Sequence, residues 1–225
     1  YETAAKHGKR VQALGGAKNH MLVLPDADLD LVADSAVNAG FGSAGERCMA
    51  ISVVVAVEPV ADALISKIVE RMNKLTVGDG RQACDMGPLI NAGRLAEMEK
   101  IVAGATQAGA KLVLGGARAA GFNAGHFFQP TVLTDCTDEM GVMADENFGP
   151  IAAITRFASE DEVLTRANAC DMGLSAYAFT TNPARARRTV AALKAGMVGI
   201  NSFAMAASEA PFGGTNHSGM GREGG

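Results

Sequence analysis

One thiol in this sequence stands where it could be both held and reached. Cys48 closes Gly45-Glu46-Arg47-Cys48, after a run of small residues and just before the apolar stretch Ile51-Ser52-Val53-Val54-Val55-Ala56-Val57. A cysteine where the chain leaves a helix and enters a buried strand is fixed by the core on one side and open to a cleft on the other. The chemistry such a group offers is nucleophilic: a thiolate adds to a carbonyl carbon, and a neighbouring cation such as Arg47 favours the thiolate. The residue type alone leaves a second reading open, because cysteine is also a small hydrophobe common in cores. Cys84, Cys136 and Cys170 lie far from Cys48 and from one another, with no C-x-x-C pair. Neither a disulfide framework nor a zinc site is expected.

Two other stretches carry groups that a ligand could use. Asp145-Glu146-Asn147-Phe148-Gly149-Pro150 sets an acidic pair and a large aromatic beside a rigid turn, just ahead of another apolar run. An acidic pair in a turn is commonly a solvated cap; the aromatic beside it points to something being packed. Further on, the apolar run 197–200 ends on Asn201, and carboxyl ends of strands are where ligands gather in open α/β sheets. The tail contains Gly219-Met220-Gly221-Arg222-Glu223-Gly224, which satisfies G-x-G-x-x-G. It has no preceding strand, no room for a following helix and no acidic partner downstream, so it reads as a loop and not as a dinucleotide fingerprint.

The elements that must position these groups follow from periodicity. Short apolar runs at 21–24, 51–57, 111–114, 131–134, 151–157, 176–180 and 197–201 read as buried strands. Between them, helical spacing places Leu64, Ile68, Met72 and Leu75 on one face, and Leu95, Met98, Val102 and Ala105 on another. Further helices are expected over 31–41, with Asp28 or Asp30 as cap, and over 160–170 and 183–195. Such alternation argues for right-handed βαβ units on a mostly parallel sheet covered on both faces, a three-layer α/β/α arrangement.

Composition excludes several classes. The chain has 225 residues, 48% hydrophobic and 20% charged, with a net charge of −4 and no basic block. Nucleic-acid binding lacks its electrostatic footprint, no stretch is long and apolar enough to span a membrane, and a cytoplasmic setting is expected. His7, His20, His126 and His217 are scattered and read as non-ligands.

Gly45-Glu46-Arg47-Cys48 resembles the Gly-Gln-x-Cys nucleophile motif of the aldehyde dehydrogenase superfamily. Glu146-Asn147-Phe148-Gly149-Pro150 is similar to its Glu-x-Phe-Gly-Pro motif. The stretch from Pro211-Phe212-Gly213-Gly214 to Ser218-Gly219-Met220-Gly221-Arg222-Glu223 resembles its Pro-Phe-Gly-Gly-x-x-x-Ser-Gly-x-Gly-Arg-Glu run. The resemblance implies a catalytic-domain-like α/β fold, with residues 1–18 left from a dinucleotide-binding domain and 19–225 forming the thiol domain. It implies Cys48 as nucleophile, NAD or NADP as hydride acceptor, and Glu146, Phe148 and Leu14 as cofactor-binding residues. Arg47, Asn201, Phe203, Ser208 and Glu209 would line the substrate site, and a parent homo-oligomer is expected.

One departure bears on mechanism. Hydrolytic members carry a glutamate immediately before Leu-Gly-Gly as general base, and here that place is taken by Ala13. Residues 13–20 and 46–52 instead resemble methylmalonate-semialdehyde dehydrogenases, which release the acyl group to coenzyme A, while 209–214 look more like succinate-semialdehyde enzymes. The expected activity is oxidation of a small semialdehyde acid through a thioacyl enzyme. The alternatives are a hydrolytic semialdehyde dehydrogenase, a thiol hydrolase needing no cofactor, and an inactive catalytic fragment.

Overall fold

Strand and helix alternate as the periodicity predicts, in a computed structural model that describes residues 1–224. After a short helix α1 (Glu2–Lys6) and strand β1 (Ala13–Leu14) come β2 (Asn19–Val23), α2 (Leu29–Phe41), β3 (Ile51–Val57) and α3 (Glu58–Met72). Next are α4 (Ala92–Gln107), β4 (Lys111–Leu114), β5 (Thr131–Thr134), α5 (Gly141–Ala144), β6 (Ile151–Phe157) and α6 (Glu160–Asn168). The chain finishes with β7 (Met172–Gly173), β8 (Ser175–Phe179), α7 (Pro183–Ala192), β9 (Met197–Ile200), β10 (Thr215–Asn216) and β11 (Gly219–Met220).

Seven strands form the main sheet in the order β4-β5-β6-β3-β2-β8-β9. All neighbours run parallel except β4, which pairs antiparallel with β5 at one edge. Met21, Leu22, Val53, Ala56, Ala153, Tyr177 and Ala178 in the central strands are essentially inaccessible, with no solvent-facing alternate row. A strand buried on both faces needs helices on both sides, hence three layers. Among the described residues no helix is long and apolar enough to cross a membrane.

Local signals set the helix ends. The Asp28 carboxylate accepts from the Asp30 and Leu31 N–H groups and starts α2; Asn91, Ser159 and Asn182 do the same for α4, α6 and α7. Asp30 instead faces α3, pairing with Lys67 at 2.7 Å and Arg71 at 2.9 Å. Two differences from expectation have physical causes. Helix α7 stops at Ala192 because Leu193 turns extended into the core, while the Asn168 amide donates to the Ala192 carbonyl and accepts from the Lys194 N–H. The stretch 219–224, expected as a loop, opens with β11, which pairs with β1, and β10 just ahead of it pairs with β7. Two-residue ladders carry no hydrophobic period, so nothing in the sequence marks them.

Candidate active site

The approach to Cys48 is built from unfavourable backbone. After α2 the chain passes through Ser43 and Ala44, both at φ 53°, and Gly45 at φ 72°. Successive left-handed residues with side chains store strain, and the surrounding structure must enforce them. The enforcement is contact: a Cβ on Gly45 would overlap the Gly149 carbonyl. The turn before the nucleophile therefore lies directly on the Phe148-Gly149-Pro150 loop, where Phe148 is itself left-handed at φ 45°. Two stretches about a hundred residues apart are thereby held together, ahead of the amino ends of β3 and β6.

Cys48 is exposed and opens onto a cavity of about 600 Å³ lined by Arg47, Met49, Phe148, Phe203 and Phe212, among others. Arg47 lies along its wall. Its Nη2 donates to the carbonyls of Asn38 at 2.6 Å and Ala39 at 3.2 Å, at the carboxyl-terminal, negative end of α2. Among the described residues it forms no salt bridge. Glu46 is tied to the connector before α4, accepting from the Ile90 N–H at 3.1 Å; partial burial raises its carboxyl above the ordinary range.

A narrower cleft on the other side of Cys48 is lined by Ala17, Asn19, Glu146, Asn147 and Phe148. Glu146 is half-buried there. Burial raises its carboxyl pKa, against the opposing pull of the Ala17 backbone N–H and the Arg94 and Lys18 charges. Lys18 is buried beneath the same loop and donates to the carbonyls of Val142 at 2.7 Å and Asp145 at 2.6 Å; burial lowers its pKa to about 7. The Phe148 ring stands 5.8 Å from the Arg94 guanidinium. The cleft itself holds only about 10 Å³, room for one water, so Glu146 offers a half-buried acceptor and Phe148 an aromatic face beside the thiol without enclosing a larger space.

Of the remaining expected site residues, Phe203 lines the Cys48 cavity and Leu14, Asn201, Ser208 and Glu209 do not. Leu14 is exposed on β1, where it pairs with Gly219, and neither it nor Ala13 lines the two clefts around Cys48. Ser208 borders an open depression that adjoins the Cys48 cavity, sharing Ala206 and Phe212 with it, and Glu209 is exposed beside it. Asn201 follows the carboxyl end of β9 and uses its amide on Thr180, accepting from its N–H and donating to its carbonyl, both at 2.9 Å. The strand-end rule places Asn201 at the carboxyl ends of the sheet, whereas Cys48 and Glu146 gather ahead of amino ends. Phe203 does reach the cavity, because the loop after Asn201 folds back so far that a Cβ on Gly199 would overlap the Ser202 carbonyl.

The sequence reading missed Asn19, Tyr177, Met49 and Phe212. Phe212 sits inside the quoted Pro-Phe-Gly-Gly run and was available as a signal. Asn19 lies outside the apolar run read as 21–24, since the strand in fact begins at Asn19, and neither it nor Tyr177 carried a signal.

The model of the aldehyde dehydrogenase family matches residues 1–225. The chain is 41% identical over 202 residues to the malonate-semialdehyde dehydrogenase of Halalkalibacterium halodurans, covering 89% of this chain and 42% of that protein. It is also 41% identical over 225 residues to the non-phosphorylating aspartate-semialdehyde dehydrogenase of Halomonas elongata, covering 100% of this chain and 45% of that protein. A crystal structure from Sinorhizobium meliloti 1021, assigned as a methylmalonate-semialdehyde dehydrogenase and complexed with NAD, superposes with a TM-score of 0.96 at 37% identity, covering 100% of this chain and 47% of that one. The chain thus spans less than half the length of the relatives it matches.

Proposed function

Since the chain belongs to the aldehyde dehydrogenase family, we propose that it supplies the thiol machinery of an enzyme oxidising a small semialdehyde acid. The observation that carries this reading is the shared cavity of Cys48, Arg47 and Phe148, which sets a nucleophile, an unpaired cation and an aromatic face around one space. The names of the relatives, malonate- and aspartate-semialdehyde dehydrogenase, support an aldehyde that carries a carboxylate.

In the proposed reaction the Cys48 thiolate adds to the aldehyde carbon, and the carbonyl π pair moves to oxygen. The Cys48 backbone N–H donates to the resulting oxyanion, and Arg47 holds the distal carboxylate with the N–H groups not given to α2. Bound NAD or NADP supplies the hydride acceptor. Glu146 would hold its ribose as hydrogen-bond acceptor, with Phe148 against the nicotinamide end. Collapse of the oxyanion with loss of hydride leaves a thioester on Cys48. Coenzyme A sulfur then attacks that carbonyl, and Cys48 leaves as thiolate. Acyl transfer is favoured over hydrolysis because Ala13 has no group to take a proton from water and lies outside both clefts.

Mass spectrometry after reaction with an acyl p-nitrophenyl ester tests this without the cofactor. The acyl group is expected on Cys48, released faster by coenzyme A than by water, with no acyl group on C48A. Acylation of C48A would overturn the nucleophile, and equal release with and without coenzyme A would overturn the acyl acceptor.

A further inference from the structure

The turn that carries Cys48 is held by side chains from two other strands. Its Arg47 carbonyl accepts from the Ala50 N–H at 3.0 Å, which orients the peptide plane containing the Cys48 N–H. The next three carbonyls have side-chain donors. Asn19 Nδ2 donates to Cys48 O at 2.8 Å and to Ala50 O at 2.9 Å, and the Tyr177 hydroxyl donates to Met49 O at 2.8 Å. Every peptide plane from Arg47 to Ile51 is therefore fixed by a hydrogen bond.

Both donors are built in. Asn19 is 2% exposed and Tyr177 0%. The Asn19 amide gives both its hydrogens to the turn and accepts from the Ser175 N–H at 3.2 Å, so its orientation is set from β8. Ser175 also donates through Oγ to the Tyr177 hydroxyl at 3.3 Å, leaving that hydroxyl's hydrogen for Met49 O. Strand β2 lies between β3 and β8, so Asn19 ties both neighbours. The ladder shifts here: Asn19 opposes Ile51 while His20 opposes Val53, so β3 carries one extra residue just beyond the nucleophile turn. Such bulges re-aim a side chain and are common beside active sites.

We propose that Asn19 and Tyr177 are positioning residues for Cys48, holding the turn so that its Sγ and backbone N–H together meet a carbonyl group. This rests on the reading of Cys48 as an acyl-accepting nucleophile. Tyr177 lines neither cleft, and Asn19, which borders the narrow one, has its amide taken up by the turn and by Ser175, so each acts through the backbone of the turn. The consequence is selective. Attack on an ester carbonyl forms the S–C bond, moves the π pair to oxygen and then expels p-nitrophenolate, so it needs both Sγ and the N–H in register. Alkylation by iodoacetamide forms the S–C bond and expels iodide, with no oxyanion to stabilise.

The test compares the two reactions on the 225-residue chain and its Y177F and N19D variants. Y177F keeps the buried ring and removes one donor; N19D keeps the shape but turns an acceptor toward two carbonyls. Y177F is expected to slow Cys48 acylation by p-nitrophenyl acetate about tenfold, and N19D more, with iodoacetamide alkylation changed less than about twofold. Thermal unfolding of each variant identifies one that fails to fold, and Y177F alone then suffices. Acylation and alkylation falling together in Y177F, or neither falling, overturns the positioning role and leaves the nucleophile standing. Absence of Cys48 acylation in the parent chain overturns both.

Discussion

An arginine whose partners among the described residues are two backbone carbonyls is unusual beside a nucleophile. Arg47 sits with its Nη2 on the end of α2 and, among the described residues, pairs with no carboxylate. A charge-assisted contact to a ligand carboxylate is worth roughly 1.5–3 kcal/mol. Replacing it in R47M should slow Cys48 acylation by mono-p-nitrophenyl succinate about tenfold relative to p-nitrophenyl acetate, since 1.4 kcal/mol is a factor of ten. Equal slowing with both esters would assign Arg47 to scaffolding alone. At this scale legibility tracked local sequence. Cys48, Arg47, Glu146 and Phe148 lie in short runs whose residue types already point to chemistry, and the structure brings all four around one turn. Asn19 and Tyr177 were invisible because their role depends on which strands become neighbours. A tyrosine in an apolar strand looks the same whether its hydroxyl meets water or Met49 O.

At the scale of elements, the left-handed turn between α2 and Cys48 is the joint on which the site depends. Gly45 combines φ 72° with a backbone oxygen where a Cβ would go, so two costs fall on one substitution. G45A should destabilise the chain by about 3 kcal/mol or more, read as a lowered urea midpoint, because backbone cannot move aside as a flexible side chain can. Gly149 gives the contrast: a Cβ there meets the Met98 side chain, an unbranched thioether that can shift, so G149A should cost less than G45A. If the order is reversed, the turn is not held by its contact with the Phe148-Gly149-Pro150 loop. The helices and long strands were legible because each carries its own period and caps. The site's position on the sheet was not: the rule favouring carboxyl ends drew attention to Asn201, yet that amide closes on Thr180 while the nucleophile gathers at amino ends.

For the molecule as a whole, the parallel sheet determines how stability responds to acid. Strand β2 is central, so Lys18 and Asn19 at its start are buried, and His20 is partly buried beside a cavity lined by Asp138 and Arg166. Burial of the His20 ring lowers its pKa to about 4, against the Lys18 carbonyl, which accepts from Nδ1 at 3.0 Å. That carbonyl can only accept, so the proton of the neutral ring sits on Nδ1. Above pH 6.5 the imidazole is neutral folded and unfolded, and it contributes no pH dependence. Between about pH 6.5 and 4 the unfolded chain binds a proton that the folded one refuses, so stability falls as pH falls through that window. The penalty is on the order of 2 kcal/mol by pH 5. Asparagine keeps a donor near the Nδ1 position and cannot titrate. The stability difference between parent and H20N should therefore shift in favour of H20N as pH drops from 7.5 to 5, with no further trend from 7.5 to 8.5. Urea unfolding at the three pH values reads this directly. A difference that stays flat from pH 7.5 to 5 would mean that His20 reaches water in solution, and that the amino end of β2, with Asn19 and Lys18 beside it, is more open than its packing implies.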